Sequence, residues 1–210
     1  MTTDWVAWHD PYGDPESPLS RRSLTVQRHI LGWLDETAPR DVRVLSICAG
    51  DGRDLLGVLR QRGDAGRVTA TLVEIVPELA ERARGSADAA GLTGIDVRCA
   101  DAGNAESYAG CSPADLVLLC GVLGNISDRE VEEVIARLPD FCAPGARVIW
   151  TRSRRSPDLT PTIRRRFGDR GFGEVAFEAP AGVLTSVGVH QLARAPEPAT
   201  RHTRLFTFVR

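Results

Sequence analysis

Short apolar runs rich in β-branched residues alternate along this chain with segments of helical periodicity. Each run has the length of a strand, and turn or cap residues separate it from the segment that follows. Five strands are predicted in the first three quarters of the chain, at Val42–Ile47, Val68–Glu74, Ile95–Cys99, Asp115–Cys120 and Arg147–Thr151. Three later runs are also predicted as strands, at Val175–Phe177, Ser186–His190 and Leu205–Val209.

The segments between the strands carry helix signals. Ser17–Pro18 is a serine cap followed by proline at the first helical position, and Ser127 with Glu130 forms a capping box. Helices are predicted from Pro18 to Leu34, from the turn after the first strand to about Arg62, and over Pro77–Gly91, Val131–Leu138 and Thr162–Arg170. Strands that alternate with helices predict an α/β fold with a doubly wound, mostly parallel sheet.

The chain length and composition predict one globular domain. The 210 residues can bury a substantial core, and 42% apolar with 26% charged residues is ordinary for such a protein. We divide the predicted domain 1–210 into an N-terminal lid and helix (1–38), a cofactor-binding core (40–150) and a C-terminal, substrate-side part of the sheet (151–210).

Charge and cysteine usage exclude several function classes. A net charge of −2 gives no overall electrostatic attraction for nucleic acid, and all 26 basic residues are arginine, which excludes a catalytic lysine. The sequence has neither an apolar run of about 18 residues nor a signal peptide, so we expect a cytoplasmic protein without a membrane partner. The five cysteines are scattered without a CxxC pair, which predicts reduced thiols and neither a disulfide framework nor a metal site.

A glycine turn follows the first strand, at Ala49-Gly-Asp-Gly52. Gly50 and Gly52 have no Cβ, so a ligand can approach the backbone closely there, and the free N–H groups of the next helix point at it. Such a turn can hold a carboxylate, a ribose or a phosphate, although a Gly-x-Gly pair also occurs in plain tight turns.

Two carboxylates follow the next strands. Glu74 ends the second strand, where a carboxylate can accept both hydroxyls of a ribose, and Asp101 follows the third, where it can accept a hydrogen bond from an exocyclic amine such as that of adenine. In an open parallel sheet ligands bind beyond the carboxyl ends of the strands. The two acids and the glycine turn therefore predict an adenosine site.

Four segments resemble the sequence motifs of the class I S-adenosylmethionine (SAM) dependent methyltransferases. They are Ser46–Gly52, Val73–Ala83, Arg98–Ala102 and Ala114–Asn125. The resemblance covers about residues 40–150 and implies a seven-stranded sheet whose last strand is antiparallel. It also implies an enzyme of the EC 2.1.1 class that uses SAM and releases S-adenosylhomocysteine (SAH).

The resemblance implies a set of cofactor residues: Ser46, Cys48, Ala49, Gly50, Asp51, Gly52, Asp54, Glu74, Ile75, Asp101, Ala102, Cys120 and Gly121. Two of them depart from the family pattern. Ser46 stands where the family usually has an acid, and Cys48 where it has the first glycine. Asp51, Asp54 or a backbone carbonyl could supply the contact to the amino group of the cofactor in place of the acid.

The substrate side is less specific. The aromatic segment Trp5–Tyr12 is interpreted either as a cover packed on the core or as a lid over the active site. The candidate substrate residues are Trp8, His9, Tyr12, Asn125, Trp150 and Arg152, of which His9, Tyr12 and Asn125 are the candidates for catalysis. Arg152, followed by further arginines, could hold an anionic group, or these arginines could be a solvated charged surface.

The leading hypothesis is a methyltransferase that acts on a small, anionic organic molecule by in-line methyl transfer, as a monomer or homodimer. Three alternatives stay open: an NAD(P)-dependent oxidoreductase, a non-catalytic SAM- or nucleotide-binding module, and an RNA methyltransferase. The first of these requires Gly-x-Gly-x-x-Gly, and Leu55 takes the place of the last glycine.

Overall fold

Seven strands form one central sheet in the computed structural model, which describes residues 4–180, 182–193 and 204–208. The order across the sheet is β3-β2-β1-β4-β5-β7-β6. The strands are β1 Val42–Ile47, β2 Val68–Glu74, β3 Ile95–Cys99, β4 Ala114–Leu119, β5 Cys142–Ser153, β6 Phe172–Glu178 and β7 Thr185–Leu192.

The direction of the strands confirms the predicted fold class. Strands β1 to β5 pair in parallel, whereas β7 runs antiparallel to both of its neighbours, β5 and β6. The chain order reverses between β1 and β4, which lie side by side. This is the switch point beyond which ligands bind in doubly wound sheets.

The described ranges contain six α-helices. They are α1 Trp5–Trp8, α2 Pro18–Thr37, α3 Arg53–Leu59, α4 Pro77–Ala89, α5 Asp128–Arg137 and α6 Thr160–Asp169. Of these, α2 to α6 pack on the two faces of the sheet. Apolar side chains of α2, α3 and α4 form the core on one face of the sheet, and those of α5 and α6 form it on the other. With helices on both faces, β4 is buried almost throughout, as its continuous apolar run predicts.

The predicted caps begin two of these helices. The Ser17 hydroxyl accepts from the Ser20 N–H ahead of α2, and Ser127 and Glu130 form the reciprocal capping box of α5. The helix after the glycine turn is shorter than predicted, because α3 ends at Leu59 and not at Arg62.

Two predicted strands differ most from the structure. The strand predicted from Arg147 is β5, which begins five residues earlier at Cys142, and the register against β4 shifts there between Ala114 and Leu116. Pro144 and Gly145 are tolerated because they lie in this irregularity, outside the regular ladder. The run predicted as a strand from Leu205 forms no strand within the described residues, where Arg204 makes an isolated bridge to Asn104; Val209 lies outside them.

The N-terminal segment folds as α1 followed by a 3₁₀ turn at Asp10–Gly13. Asp4 caps α1 by accepting from two backbone N–H groups, and Pro11 lies in the first turn of the 3₁₀ helix. The segment thus places the rings of Trp5, Trp8, His9 and Tyr12 close together without a long helix. No helix in the described ranges has the length and apolarity needed to cross a bilayer.

Candidate functional site

The loops that follow β1, β2, β3 and β4 surround one cavity at the carboxyl edge of the sheet. All the predicted cofactor residues except Gly52 line it: Ser46, Cys48, Ala49, Gly50, Asp51, Asp54, Glu74, Ile75, Asp101, Ala102, Cys120 and Gly121. The switch point of the sheet therefore gathers these residues as the sequence predicted.

The loop after β1 has a left-handed backbone at three positions. Cys48 has a φ of 54°, and it is the one non-glycine residue with positive φ in the described parts of the chain. Gly50 has a φ of 58°, and a Cβ built on it would lie 2.6 Å from His9 Nε2. Gly52 (φ 75°) is the N-cap residue of α3 and faces Leu56 and Leu72, away from the cavity. The missing Cβ of Gly50 thus leaves room for the His9 ring beside a backbone that lines the cavity, whereas Gly52 serves the turn.

Glu74 is buried and holds this loop. Its Oε2 accepts from the Gly50 N–H at 2.8 Å, and its Oε1 accepts from the Val76 N–H at 2.9 Å. An ionised carboxylate has about four acceptor positions, so about two remain for a ligand. Glu74 can therefore fix the glycine turn and accept hydroxyl groups in the cavity at the same time.

Asp101 lies opposite, partly exposed, and has protein partners of its own. Its Oδ1 accepts from the Gly103 N–H at 2.7 Å, and its Oδ2 lies 3.2 Å from Arg204 Nη2. Leu205 N–H also donates to the Gly103 carbonyl. The residues 204–208 are thereby attached to the loop after β3, a contact that the sequence pattern did not reveal.

The end of β4 supplies Cys120, Gly121 and Asn125. Asn125 Nδ2 donates to the Gly121 carbonyl at 2.6 Å, so this amide braces the loop. Burial raises the pKa of the Cys120 thiol, and the nearby Asp54 raises it further. Burial, together with Glu74 and Asp101, likewise raises the pKa of Cys48. Both thiols are therefore protonated at neutral pH and are poor nucleophiles.

The N-terminal segment covers the cavity. Trp5, Trp8, His9 and Tyr12 line it, and the Trp5 ring packs on Phe208 with 5.6 Å between ring centroids. The N-terminal segment and residues 204–208 thus meet over the carboxyl ends of the strands. The N-terminal segment lies where the sequence predicted a cover, and Phe208 adds a further ring to its aromatic wall.

Polar contacts fix Tyr12 in this cover. Its hydroxyl accepts from Arg22 Nη2, and the Arg53 guanidinium lies 3.9 Å from the centroid of its ring. Arg53 also binds Asp51 through Nε and Nη2. Burial alone would raise the pKa of Asp51, but the hydrogen bonds from Arg53 outweigh it and lower that pKa. Asp51 is therefore an ionised member of the site.

Two predicted substrate residues lie elsewhere. Trp150 is fully buried in the core, where its Nε1 donates to His190 and its ring stacks on Phe167. Arg152 donates to the Leu123 carbonyl and lies 3.5 Å from an oxygen of Asp128, outside the cavity lining. Trp150 and Arg152 are thus corrected to structural residues. Both lie within β5 and not in a loop after a strand: Trp150 pairs with Leu119 and Gly188, and Arg152 pairs with Ser186.

The sequence interpretation placed Trp5 in the cover without naming it as a site residue, and it missed four other lining residues: Arg22, Arg53, Leu79 and Phe208. Arg22 had a signal, because it precedes Val26 and Ile30 at steps of four on the buried face of α2. Phe208 had none, since its place depends on tertiary contacts of residues 204–208.

These features fit an adenosine cofactor with a polar tail. Three observations support this fit. Gly50, which has no side chain, lines the cavity, and Glu74 has acceptor capacity left. The buried Nε of Arg22 has no hydrogen-bond partner in the described structure. Residues 44–145 match the family model described as "Methyltransferase domain". This part of the chain is a class I SAM-dependent methyltransferase domain.

Solved structures share the fold of this methyltransferase. Magnesium protoporphyrin IX methyltransferase (ChlM) from Synechocystis PCC 6803 with bound SAM matches at 17% identity and a TM-score of 0.68, over 90% of this chain and 91% of that one. The CurJ carbon methyltransferase matches at 16% identity and a TM-score of 0.68, over 91% and 62%. An O-methyltransferase family protein from Burkholderia thailandensis matches at 19% identity and a TM-score of 0.61, over 89% and 68%. No curated protein matches the methyltransferase in sequence.

The cofactor of this methyltransferase family is SAM. Within the described residues, no group of histidine, cysteine and carboxylate side chains could hold a metal ion. The cavity lining offers hydrogen-bonding groups, an aromatic wall and His9.

Proposed function

We propose that this protein binds SAM in the cavity at the carboxyl edge of the sheet and transfers its methyl group to a small organic molecule. The observation that carries the proposal is the convergence of the Gly50 turn, Glu74 and Asp101 beneath an aromatic cover. In this assignment Glu74 accepts the ribose hydroxyls and Asp101 lies toward the adenine amine.

The protein contributes position and a dry site to the reaction. When bound, SAM supplies an electrophilic methyl group on a sulfonium. The aromatic cover of Trp5, Trp8 and Phe208 excludes water and narrows the directions from which an acceptor can approach. A cavity closed in this way suits a small molecule better than a nucleic acid, and the net charge of −2 supports the same choice.

His9 is the candidate with the best geometry for a general base. Its Nδ1 lies 2.7 Å from the Trp5 carbonyl, which can only accept, so Nδ1 carries the proton of the neutral ring. Nε2 is then an unprotonated acceptor, and it faces Gly50 at the cavity. The other two candidates are weaker, because burial raises the pKa of Tyr12 and the Asn125 amide braces Gly121.

The acceptor that we propose presents an apolar, flat surface to this aromatic wall. That the substrate carries an anionic group stays a prediction. Arg152 no longer argues for it, because this residue lies outside the cavity.

The size of the acceptor can be tested with SAM that carries a radiolabelled methyl group. After incubation with a cell extract and separation by mass, we expect the label in the small-molecule fraction. The control is Gly50→Val, whose side chain would meet His9 and require a strained φ, and which should transfer no label. Transfer of label to RNA or protein would contradict the proposal.

A further inference from the structure

One side of helix α2 carries two leucines that the protein leaves exposed. Leu24 is 60% exposed and Leu31 is 43% exposed. The exposed side chains of Arg28 and Asp35 continue the same row, which advances by four, three and four residues. This spacing puts all four residues on one side of the helix, and it is the spacing through which two helices pack along their length. We call these four residues, together with Gly32 beside them, the α2 stripe.

Gly32 leaves a notch in the α2 stripe. A glycine inside a helix is less favourable than an alanine, so its position near the middle of a 20-residue helix needs a reason. The fold of the described chain does not supply one, because a Cβ built on Gly32 would meet no atom within 4 Å. The helix surface therefore has room at this point for a side chain that comes from outside.

The α2 stripe is complementary to itself. In a two-fold pair of antiparallel helices every contact occurs twice, with the roles of the two residues exchanged. An axis that passes between Leu31 and Gly32 places each Leu31 opposite the notch at the partner's Gly32. The same axis places Arg28 opposite the partner's Asp35, because these two residues are equally far from it along the helix. Each leucine thus meets a notch, and each arginine meets an aspartate.

Both charged residues of the stripe can bind such a partner without losing the contacts that they already have. Arg28 Nη2 donates to Glu178 Oε2, and Asp35 Oδ1 accepts from Arg62 Nη1, both at 2.6 Å. A guanidinium has five N–H donors and a carboxylate has about four acceptor positions, so each has capacity left. A nucleic acid or an anionic membrane would instead be repelled by Asp35. The charges therefore favour a second copy of this chain.

We propose that two copies of this protein associate through the α2 stripe as a two-fold, antiparallel dimer. The proposal is independent of the proposed function, because the stripe is not part of the cavity: the α2 residue Arg22, which lines the cavity, is on the buried side of the helix. Contact along one pair of helices buries an area at the low end of specific interfaces. We therefore expect a dimer that dissociates reversibly on dilution.

Analytical ultracentrifugation of the full chain tests this proposal. Between about 1 μM and about 100 μM, the unmodified protein should change from monomer to dimer. Arg28→Glu places two acids opposite each other at both ends of the stripe, and Asp35→Arg places two arginines there. Each of these variants alone should associate at least about tenfold more weakly, because like charges then face each other across the axis.

A mixture of the two charge variants distinguishes pairing across the axis from a general loss of association. In a dimer that contains one Arg28→Glu chain and one Asp35→Arg chain, every facing pair again has opposite charges. The mixture should therefore form dimers at concentrations where neither variant does so alone, and a mass tag on one variant identifies the mixed dimer. The double variant Arg28→Glu/Asp35→Arg should dimerise like the unmodified protein for the same reason.

Gly32→Gln tests the notch. Its side chain should weaken dimerisation by filling the space opposite Leu31. The melting temperature of the dilute monomer should not fall, because glutamine favours a helix more than glycine does and the side chain meets no neighbour within the described fold.

The matched control is Arg82→Glu on α4. It reverses the charge of another exposed arginine, which pairs with Glu78 at 2.5 Å, and it should leave dimerisation unchanged. Thermal melting of each variant confirms folding. A monomer at every concentration of the unmodified protein would overturn the proposal and leave the stripe to solvent or to a different protein. Dimers that persist unchanged in both single variants would place the interface elsewhere. A mixture of the two variants that stays monomeric would also contradict the proposal.

Discussion

The substitution Glu74→Gln separates the two roles that the structure gives this side chain. Glu74 is 6% exposed and accepts one backbone N–H on each carboxylate oxygen, at 2.8 and 2.9 Å. In glutamine an NH₂ group replaces one oxygen and opposes a backbone N–H that has no other partner. One charge-assisted hydrogen bond is lost and one buried donor is left unpaired, which costs about 1.5–3 kcal/mol.

This loss should be visible in stability and in binding. For a chain of this size, each kcal/mol lowers the melting temperature by about 2–4 °C, so we expect a decrease of about 3–12 °C. SAH affinity should fall by about tenfold or more, because the ribose hydroxyls lose an acceptor and the Gly50 turn loses its support. Melting followed by circular dichroism and titration calorimetry with SAH measure the two effects on the same samples.

The control is Glu81→Gln on α4. The Glu81 side chain is 71% exposed and pairs with Arg84 on the helix surface, so neither quantity should change measurably. A lower melting temperature in Glu74→Gln with unchanged SAH affinity would show that Glu74 only supports the loop. No change in either quantity would refute the reasoning altogether.

Three further predictions test the cover, a corrected residue and a buried histidine. Deletion of residues 1–14 should abolish methyl transfer to a small acceptor while SAH still binds by calorimetry, because the cover is lost and the cofactor loops remain; normal turnover would argue against a lid. Arg152→Ala and the exposed Arg165→Ala should have the same KM for an anionic acceptor in steady-state kinetics, because neither residue lines the cavity, and a selective rise for Arg152→Ala would restore the anion-binding role. Burial lowers the pKa of His190 to about 4, below the value of about 6.5 expected in the unfolded chain. As the pH falls below about 6.5, His190 is therefore protonated in the unfolded chain before it is protonated in the folded one, and the free energy of unfolding decreases. The decrease is about 2 kcal/mol at pH 5. Chemical denaturation at pH 7 and pH 5 should show this loss, and His190→Gln should remove most of it.

Much of the fold was predictable because local signals agree with the tertiary structure. The bounds of β1, β2 and β3 follow from their apolar runs, and the caps at Ser17 and Ser127 act within one helical turn. The start of β5 was not predictable, because Pro144 and Gly145 favour a turn and only pairing with β4 overrides that preference.

The cofactor side of the site was more predictable than the substrate side for a topological reason. Each predicted cofactor residue lies at or after the carboxyl end of a parallel strand, so the fold itself brings Gly50, Glu74 and Asp101 to one edge. Trp150 and Phe208 show the limit of such reasoning. Both residues lie in short apolar runs that the sequence analysis predicts as strands. Whether such a residue joins the core, as Trp150 does, or lines the cavity, as Phe208 does, depends on contacts between segments far apart in sequence.

The central claim is that this cavity is a SAM site, and titration calorimetry of the unmodified protein with SAH and, separately, with NADH tests it most directly. Many nucleotide sites share a glycine turn, a ribose acceptor and a buried cation. Which ligand binds therefore distinguishes a SAM site from a dinucleotide site. We predict saturable binding of one SAH per chain and no heat of binding with NADH. Binding of NADH without binding of SAH would contradict the account and favour an oxidoreductase.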